Sequence, residues 1–252
     1  MDPKKQFDSQ AKFYAESTLF SSGLSLKLLI NLIDKKKFKK GLDIGTGTGF
    51  TALEISKNTD NVIGIDISEG MLNEANIIKK NRGISNVNFE IGEAEKLKYK
   101  DNSFDLITCR TAAHHFINIE KSLSEIKRTI TKEGICFLID TISSDQSELN
   151  SWHQKVEKLR DASHIKNYSL IEWRSLLKDA GLTIKNTYQT RVNMDIESWM
   201  ERSGTSQDTK NILRDLFINT DNKTANFFGL KKTKNSIDFF WPVGIFEIKN
   251  IN

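Results

Sequence analysis

Gly41-Leu42-Asp43-Ile44-Gly45-Thr46-Gly47-Thr48-Gly49-Phe50 decides how this chain is read. A short apolar strand with an acid inside it runs into three glycines at alternate positions. Such a strand must turn sharply, and only glycine lets a ligand press against bare backbone there. The segment from Phe50 to Asn58 reads as a helix, so N–H groups at its start point into the turn. The stretch is a cradle for a nucleotide-like small molecule.

Spacing narrows the ligand. A dinucleotide fingerprint is G-x-G-x-x-G, whose third glycine eases helix–strand packing beside a pyrophosphate. Here the order is G-x-G-x-G (Gly45, Gly47, Gly49), with Asp43 two residues ahead. That acid is a poor neighbour for a diphosphate and a good one for a cation. Val62-Ile63-Gly64-Ile65-Asp66 reads as a second strand ending in an acid about twenty residues beyond the glycines, placed to accept hydrogen bonds from ribose hydroxyls. A ribose, an ammonium group and no diphosphate together point to S-adenosylmethionine (SAM).

Leu42 to Gly49, followed by Gly64-Ile65-Asp66-Ile67-Ser68-Glu69-Gly70-Met71-Leu72, resembles the first two motifs of the class I SAM-dependent methyltransferases. Within them the chain is most similar to the branch related to ubiquinone/menaquinone-biosynthesis methyltransferases. Gly92-Glu93-Ala94-Glu95-Lys96-Leu97 and Phe104-Asp105-Leu106-Ile107-Thr108-Cys109-Arg110 continue the match, which covers roughly residues 7 to 190. Family members often carry Asp where Glu93 stands; Glu accepts the same bond from an adenine amino group with a longer reach. The resemblance implies a Rossmann-like α/β fold, a seven-stranded, mostly parallel sheet with an antiparallel last strand, and a helical lid. It also implies a cofactor set of Tyr14, Asp43, Gly45, Thr46, Gly47, Asp66, Ile67, Met71, Glu93, Ala94 and Arg110, with S-adenosylhomocysteine (SAH) as product. Ile67 is expected against the adenine face, and Met71 there or in the core. Tyr14 and Ser17 are expected at the methionine end, with core packing the alternative for Tyr14.

A length of 252 residues suits a single domain over 1–252, with a SAM-binding half at 7–142 and lid insertions at 143–168 and 190–235. No run of 18 apolar residues is present, and the first residues lack the apolar core of a signal peptide, so a cytoplasmic protein without membrane insertion is expected. Cys109 and Cys136 fall in expected buried strands and read as small core residues, which suits a reducing compartment. The net charge of +4, with both signs interspersed, argues against a nucleic-acid partner. Lys35 to Lys40 reads as a solvated helix end leading into the first strand.

Strand and helix patterns alternate from residue 40 to 141: strands near 40–45, 61–66, 86–91, 103–109 and 134–141, helices at 50–58, 70–81 and 118–131. Apolar runs such as Ile135-Cys136-Phe137-Leu138-Ile139 are continuous, as in strands covered on both faces. Repeated βα units imply parallel pairing, with ligands at the carboxyl ends of the strands. Phe7, Phe13, Tyr14 and Phe20 suggest helical turns over the site, and Leu24 to Ile33 is an amphipathic helix. Beyond 141 come a helix within 143–165, a helix at 170–178 stopped by Gly181, a strand at 182–190, two helices in 193–219, and a last strand at 236–249 kinked near Pro242-Val243-Gly244.

Methyl transfer from a sulfonium needs alignment of donor and acceptor, and a base where the acceptor carries a proton. Arg110-Thr111-Ala112-Ala113-His114-His115-Phe116 follows the fourth strand, so His114 and His115 are candidates for base or substrate contact. The alternative is that His115 packs with Phe116 under the loop and His114 merely hydrogen-bonds backbone. Arg160-Asp161-Ala162-Ser163-His164 is the second constellation, with Arg160 for an anionic substrate group and Asp161 orienting a catalytic or substrate-binding His164. A surface ion pair at a helix end is its bland counterpart. Metal binding is not expected.

The sequence thus predicts a methyltransferase acting on a small-molecule acceptor by in-line displacement, as monomer or homodimer. A non-catalytic SAM-binding regulator, or an enzyme acting on RNA or protein, are the alternatives. Nucleobase amino-methyltransferases use an Asn/Asp-Pro-Pro-Tyr/Phe loop and 5-methylcytosine enzymes a Pro-Cys pair. The prolines here are Pro3 and Pro242, so neither motif exists.

Overall fold

Continuous apolar strands build the centre, and their pairing follows from the βα alternation. In the computed structural model, which describes residues 3–234 and 236–250, three helices come first: α1 (Pro3–Glu16), α2 (Thr18–Ser22) and α3 (Leu24–Ile33). The repeating core follows as β1 (Phe38–Ile44), α4 (Phe50–Ile55), β2 (Thr59–Asp66), α5 (Glu69–Asn81), β3 (Val87–Ile91), β4 (Phe104–Arg110), α6 (Ile119–Thr129) and β5 (Ile130–Thr141). The remainder is α7 (Ser147–Arg160), α8 (Leu170–Asp179), β6 (Leu182–Asp195), α9 (Ile196–Arg202), α10 (Gln207–Ile218), α11 (Asn222–Phe228), β7 (Lys231–Lys232) and β8 (Ile237–Asn250).

The sheet order is β3-β2-β1-β4-β5-β8-β6, with the two-residue β7 attached to β8. β1 to β5 pair in parallel, whereas β8 runs antiparallel to both β5 and β6. The order reverses at β1 and β4, and that switch point opens a crevice at the carboxyl ends. Local chemistry sets the helix ends. Ser68 and Asn118 accept from the third residue of α5 and α6, and Ser169 with Glu172 forms a complete capping box on α8.

Two apolar layers sandwich the sheet. α6 and α8 pack on one face with Ile107, Cys109, Cys136, Leu138 and Phe246. α3 and α4 cover the other with Leu106, Phe137, Ile139 and Ile245. Cys109 and Cys136 are buried free thiols. A third, aromatic cluster joins Leu149 and Val156 of α7 to Trp199, Phe217 and Phe228 of α9–α11 and to Phe239 and Trp241 of β8. The far ends of β6 and β8 therefore carry the helical cap.

Several boundaries differ from the sequence reading. α4 stops at Ile55 rather than Asn58. β6 runs on to Asp195, because Val192 and Met194 continue a period of two opposite Trp241 and Phe239. α11 is an unanticipated third helix, started by Asp221 on the Thr224 N–H and ended at Gly229 with φ 63°. β8 keeps register through Pro242–Gly244; the irregularity lies between Ile184 and Asn186 of its partner. Lys35 to Lys37 follow the end of α3 as expected, whereas Lys39 and Lys40 already belong to β1, where their N–H groups donate to the Asp105 carboxylate. Among the described residues no helix is long and apolar enough to cross a membrane.

Candidate active site

The three glycines of the loop after β1 have positive φ (64°, 53° and 82°) and three separate duties. A Cβ on Gly45 would sit 2.5 Å from the Ala112 Cβ, and one on Gly49 would sit 2.5 Å from the Phe89 ring. A Cβ on Gly47 would meet nothing within 4 Å. Gly45 and Gly49 thus permit close packing of the loop, and Gly47 leaves bare backbone facing open space. Asp43 accepts from Thr46 Oγ1 at 2.6 Å and Thr108 Oγ1 at 2.7 Å, tying β1, the loop and β4 together. It lies beneath the loop and does not line the cavity, correcting the expectation of direct contact with a cationic ligand. Burial pushes its pKa up to about 6 against those two hydrogen bonds.

Above the loop opens a cavity of about 770 Å³, within the ~300–1,000 Å³ range of small-molecule sites. Gly45, Thr46, Gly47, Asp66, Ile67, Met71, Glu93, Ala94 and Arg110 line it, together with Tyr14. Asp66 accepts from the N–H groups of Gly47 (2.8 Å) and Ser68 (3.0 Å), which aims its carboxylate along the wall. Burial raises its pKa against these bonds. Arg110 donates to Thr51 Oγ1 (2.8 Å) and the Phe20 carbonyl (2.9 Å), and burial lowers its pKa to about 10. Phe7, Tyr14 and Phe20 line the cavity as expected of an aromatic cover, whereas Phe13 is 53% exposed and Ser17 is not in the wall.

Next to β4, Thr111 is held at φ 57°, an uncommon conformation for a β-branched residue, by its N–H bond to Ile139 O at 2.7 Å. The following turn delivers His114 and His115 to the cavity. Asp140, at the end of the neighbouring strand β5, accepts from the His114 N–H (2.9 Å) and lies 2.7 Å from its Nδ1. The carboxylate therefore fixes the Nδ1–H tautomer and leaves Nε2 as the basic nitrogen. Burial acts to lower the His114 pKa, but the charge and hydrogen bond of Asp140 outweigh it and raise the value.

His115 is held differently. Its Nδ1 lies 3.1 Å from Ser163 Oγ, whose own proton goes to Asp161 Oδ1 at 2.6 Å. The hydroxyl can then only accept from His115, so this ring also carries its proton on Nδ1. Asp161 Oδ1 further accepts from Gln6 Nε2 at 2.6 Å, linking the array to α1. Burial and the adjacent His114 push the His115 pKa down to about 3. Burial would raise Asp161, but His115, Arg160 and Ser163 hold it down at about 2.

Two expectations for this constellation change. Asp161 orients Ser163 rather than His164. His164 is buried, with Nε2 turned to Gln154 Oε1 at 3.3 Å and no place in the cavity wall, because the turn ending α7 points it back toward that helix. Arg160 does line the cavity, but its guanidinium is engaged by Glu157 (3.2 Å) and Asp161 (3.6 Å) and lies 5.1 Å over Trp199. No group of three or more His, Cys, Asp or Glu among the described residues is arranged to hold a metal. Asp140, Gln6 and Arg202 were given no role from sequence, and Ser163 stood in the second constellation without one. Only Asp140 left a signal, as an acid ending the strand beside β4.

A parallel sheet with one inserted antiparallel strand, a glycine loop over a buried acid, and an acid ending the second strand define a class I methyltransferase architecture. A family described as "Methyltransferase domain" matches residues 35–215. The chain belongs to the SAM-dependent methyltransferases of class I. The Bacillus subtilis uncharacterized methyltransferase YcgJ is 33% identical over 82% of this chain and 82% of its own. Its crystal structure superposes with a TM-score of 0.85 at 30% identity, covering 90% of this chain and 99% of that one. The demethylmenaquinone methyltransferase of Bacteroides fragilis is 31% identical over 46% of this chain and 49% of its own. A Haemonchus contortus N-methyltransferase solved with SAH and phosphomonomethylethanolamine shares the fold at a TM-score of 0.65 and 18% identity, covering 97% of this chain and 57% of that one. The chain is accordingly an enzyme, and the family implies SAM as its methyl donor.

Proposed function

We propose that this enzyme methylates a small-molecule acceptor bound beside SAM in the 770 Å³ cavity, with His114 as general base. The Asp140–His114 pair, with His114 in the cavity wall and Asp140 buried behind it, carries the reading. The residues present suit SAM: Gly47 offers unobstructed backbone, Asp66 has lone pairs left for ribose hydroxyls, and Glu93 stands where an adenine amino group is expected. Ile67 and Met71 add apolar wall, and Tyr14, Thr46, Ala94 and Arg110 close the remaining sides. Bound there, SAM supplies a methyl group activated by its sulfonium charge.

The protein's own part is alignment and proton removal. The two sides of the cavity hold acceptor and donor in line, which supplies much of the acceleration. His114 Nε2 takes the proton from the acceptor's hydroxyl or amine as that atom gains the methyl group. Asp140 stabilises the imidazolium that results and keeps the ring oriented. His115 stays neutral and presents its Nε2 to the acceptor as a hydrogen-bond acceptor. Arg160 shapes the pocket through Trp199, and His164 supports the wall from behind. The interior location and small-molecule dimensions of the cavity favour this reading over a macromolecular substrate.

Following conversion of SAM to SAH with a panel of small hydroxyl and amine acceptors tests the proposal. Acceptor-dependent turnover that His114→Ala removes is the expected result. Tight SAH binding with no turnover by any acceptor indicates a regulator instead.

A further inference from the structure

Among the described residues, one partly buried guanidinium in the cavity wall is left without a compensating partner. Arg202 ends α9, is partly buried and lines the wall beside Tyr14 and Arg160. Among the described residues its guanidinium makes no hydrogen bond and no ion pair. Its neighbour Arg160 has claimed the nearby carboxylates, Glu157 and Asp161. Asp195, at the other end of α9, is committed to Ser198 as that helix's cap. Burial first, and the charge of Arg160 second, disfavour a proton on Arg202. A guanidinium with five donors held partly out of water is costly unless a ligand supplies the acceptor.

The surroundings specify that ligand further. Val192, Met194, Trp241 and Val243 make an apolar wall at this end of the cavity. Glu157 also lines it and repels a dianion more strongly than a monoanion. A single free guanidinium fork matches one carboxylate in a bidentate pair. We propose that the methyl acceptor is an apolar, small carboxylic acid whose carboxylate pairs with Arg202 while its hydroxyl or amine faces His114. This rests on the reading of the cavity as a methyl-transfer site.

Calorimetric titration of the SAH-saturated protein tests the assignment. The probes are 4-hydroxyphenylacetate, the matching amide and 4-hydroxyphenyl phosphate. The acid is expected to bind about tenfold or more tighter than the amide. Arg202→Gln abolishes that preference, Arg202→Lys retains part of it, and both keep wild-type SAH affinity and melting midpoint. Equal binding of acid and amide, tighter binding of the phosphate, or no binding of the acid overturns the proposal with SAM binding untouched. Weakened SAH binding in both variants assigns Arg202 to the donor's own carboxylate and also overturns it. Failure of the wild-type protein to bind SAH at all sinks the methyl-transfer reading itself.

Discussion

Around the glycine loop, the contacts that fix the loop itself join residues close in sequence, Asp43 to Thr46 across 3 positions and Gly47 to Asp66 across 19, with Asp43 reaching Thr108 across 65. On the opposite wall the separations are 26 for His114–Asp140, 48 for His115–Ser163 and 155 for Gln6–Asp161. The first side is chiefly a property of one βαβ unit, braced from β4 by Thr108, and the loop offers mainly its backbone. The second exists only when α1, β5 and the end of α7 have docked together, and it depends on side chains. On the proposed function, donor recognition is built largely locally and acceptor chemistry is assembled at long range.

The largest expected effect tests the local side. Asp66→Ala removes a carboxylate whose hydrogen bonds are each worth ~1.5–3 kcal/mol, so SAH affinity should fall by about a thousandfold in calorimetry. Unchanged affinity breaks the assignment of the donor site. On the long-range side, His114→Ala should lower kcat about a hundredfold or more while leaving SAH binding intact.

Asp140→Asn sharpens the same point through pH. Only neutral His114 accepts a proton, so the rate rises with pH through its pKa. Asp140 raises that pKa, and its neutralisation should move the rising limb to lower pH. A limb that stays in place removes Asp140 from the base's environment.

A smaller effect is expected for Ser163→Ala, which frees His115. The lost bond of about 1 kcal/mol should raise KM for the acceptor roughly fivefold with SAH affinity unchanged. Acid unfolding reads the smallest difference. The Asp161 carboxyl, held at about 2 when folded, stabilises the protein above its unfolded pKa of ~3.9, and that stabilisation is lost as pH falls toward the folded value. Asp161→Asn should flatten the stability curve between those limits, read as a shallower acid limb in the unfolding titration. An unaltered acid limb contradicts the Gln6–Asp161–Ser163 array.

The same division explains what could be read in advance. The alternating glycines, Asp66 and the continuous strands are short-range patterns, so the sheet and the donor loop were legible, while the antiparallel last strand followed from the family resemblance. Asp43 was misplaced by one layer because its bond to Thr108 crosses to another strand. His164 looked equivalent to His115, yet which ring reaches the cavity depends on the turn after Arg160 and on Gln154. Arg202 carries no motif at all: its importance lies in what Glu157 and Asp161 do elsewhere. α11 escaped notice because seven residues framed by Asp221 and Gly229 display too little apolar period.

The position of β8 has a consequence for how the molecule comes together. β6 joins the sheet only through β8, its single neighbour in the strand order, and it pairs with β8 from Leu182↔Asn250 to Asp195↔Asp238. β8 is the last strand in chain order, so the β6 edge and the helices anchored near its far end wait for it. Pairings across such long loops are slow to form, because closure entropy is lost before any contact is gained. Refolding should therefore be biphasic, with the β1–β5 unit early and Trp199 and Trp241 fluorescence reporting a later phase. During that interval the donor cradle can already be formed while the acceptor wall is still open to solvent.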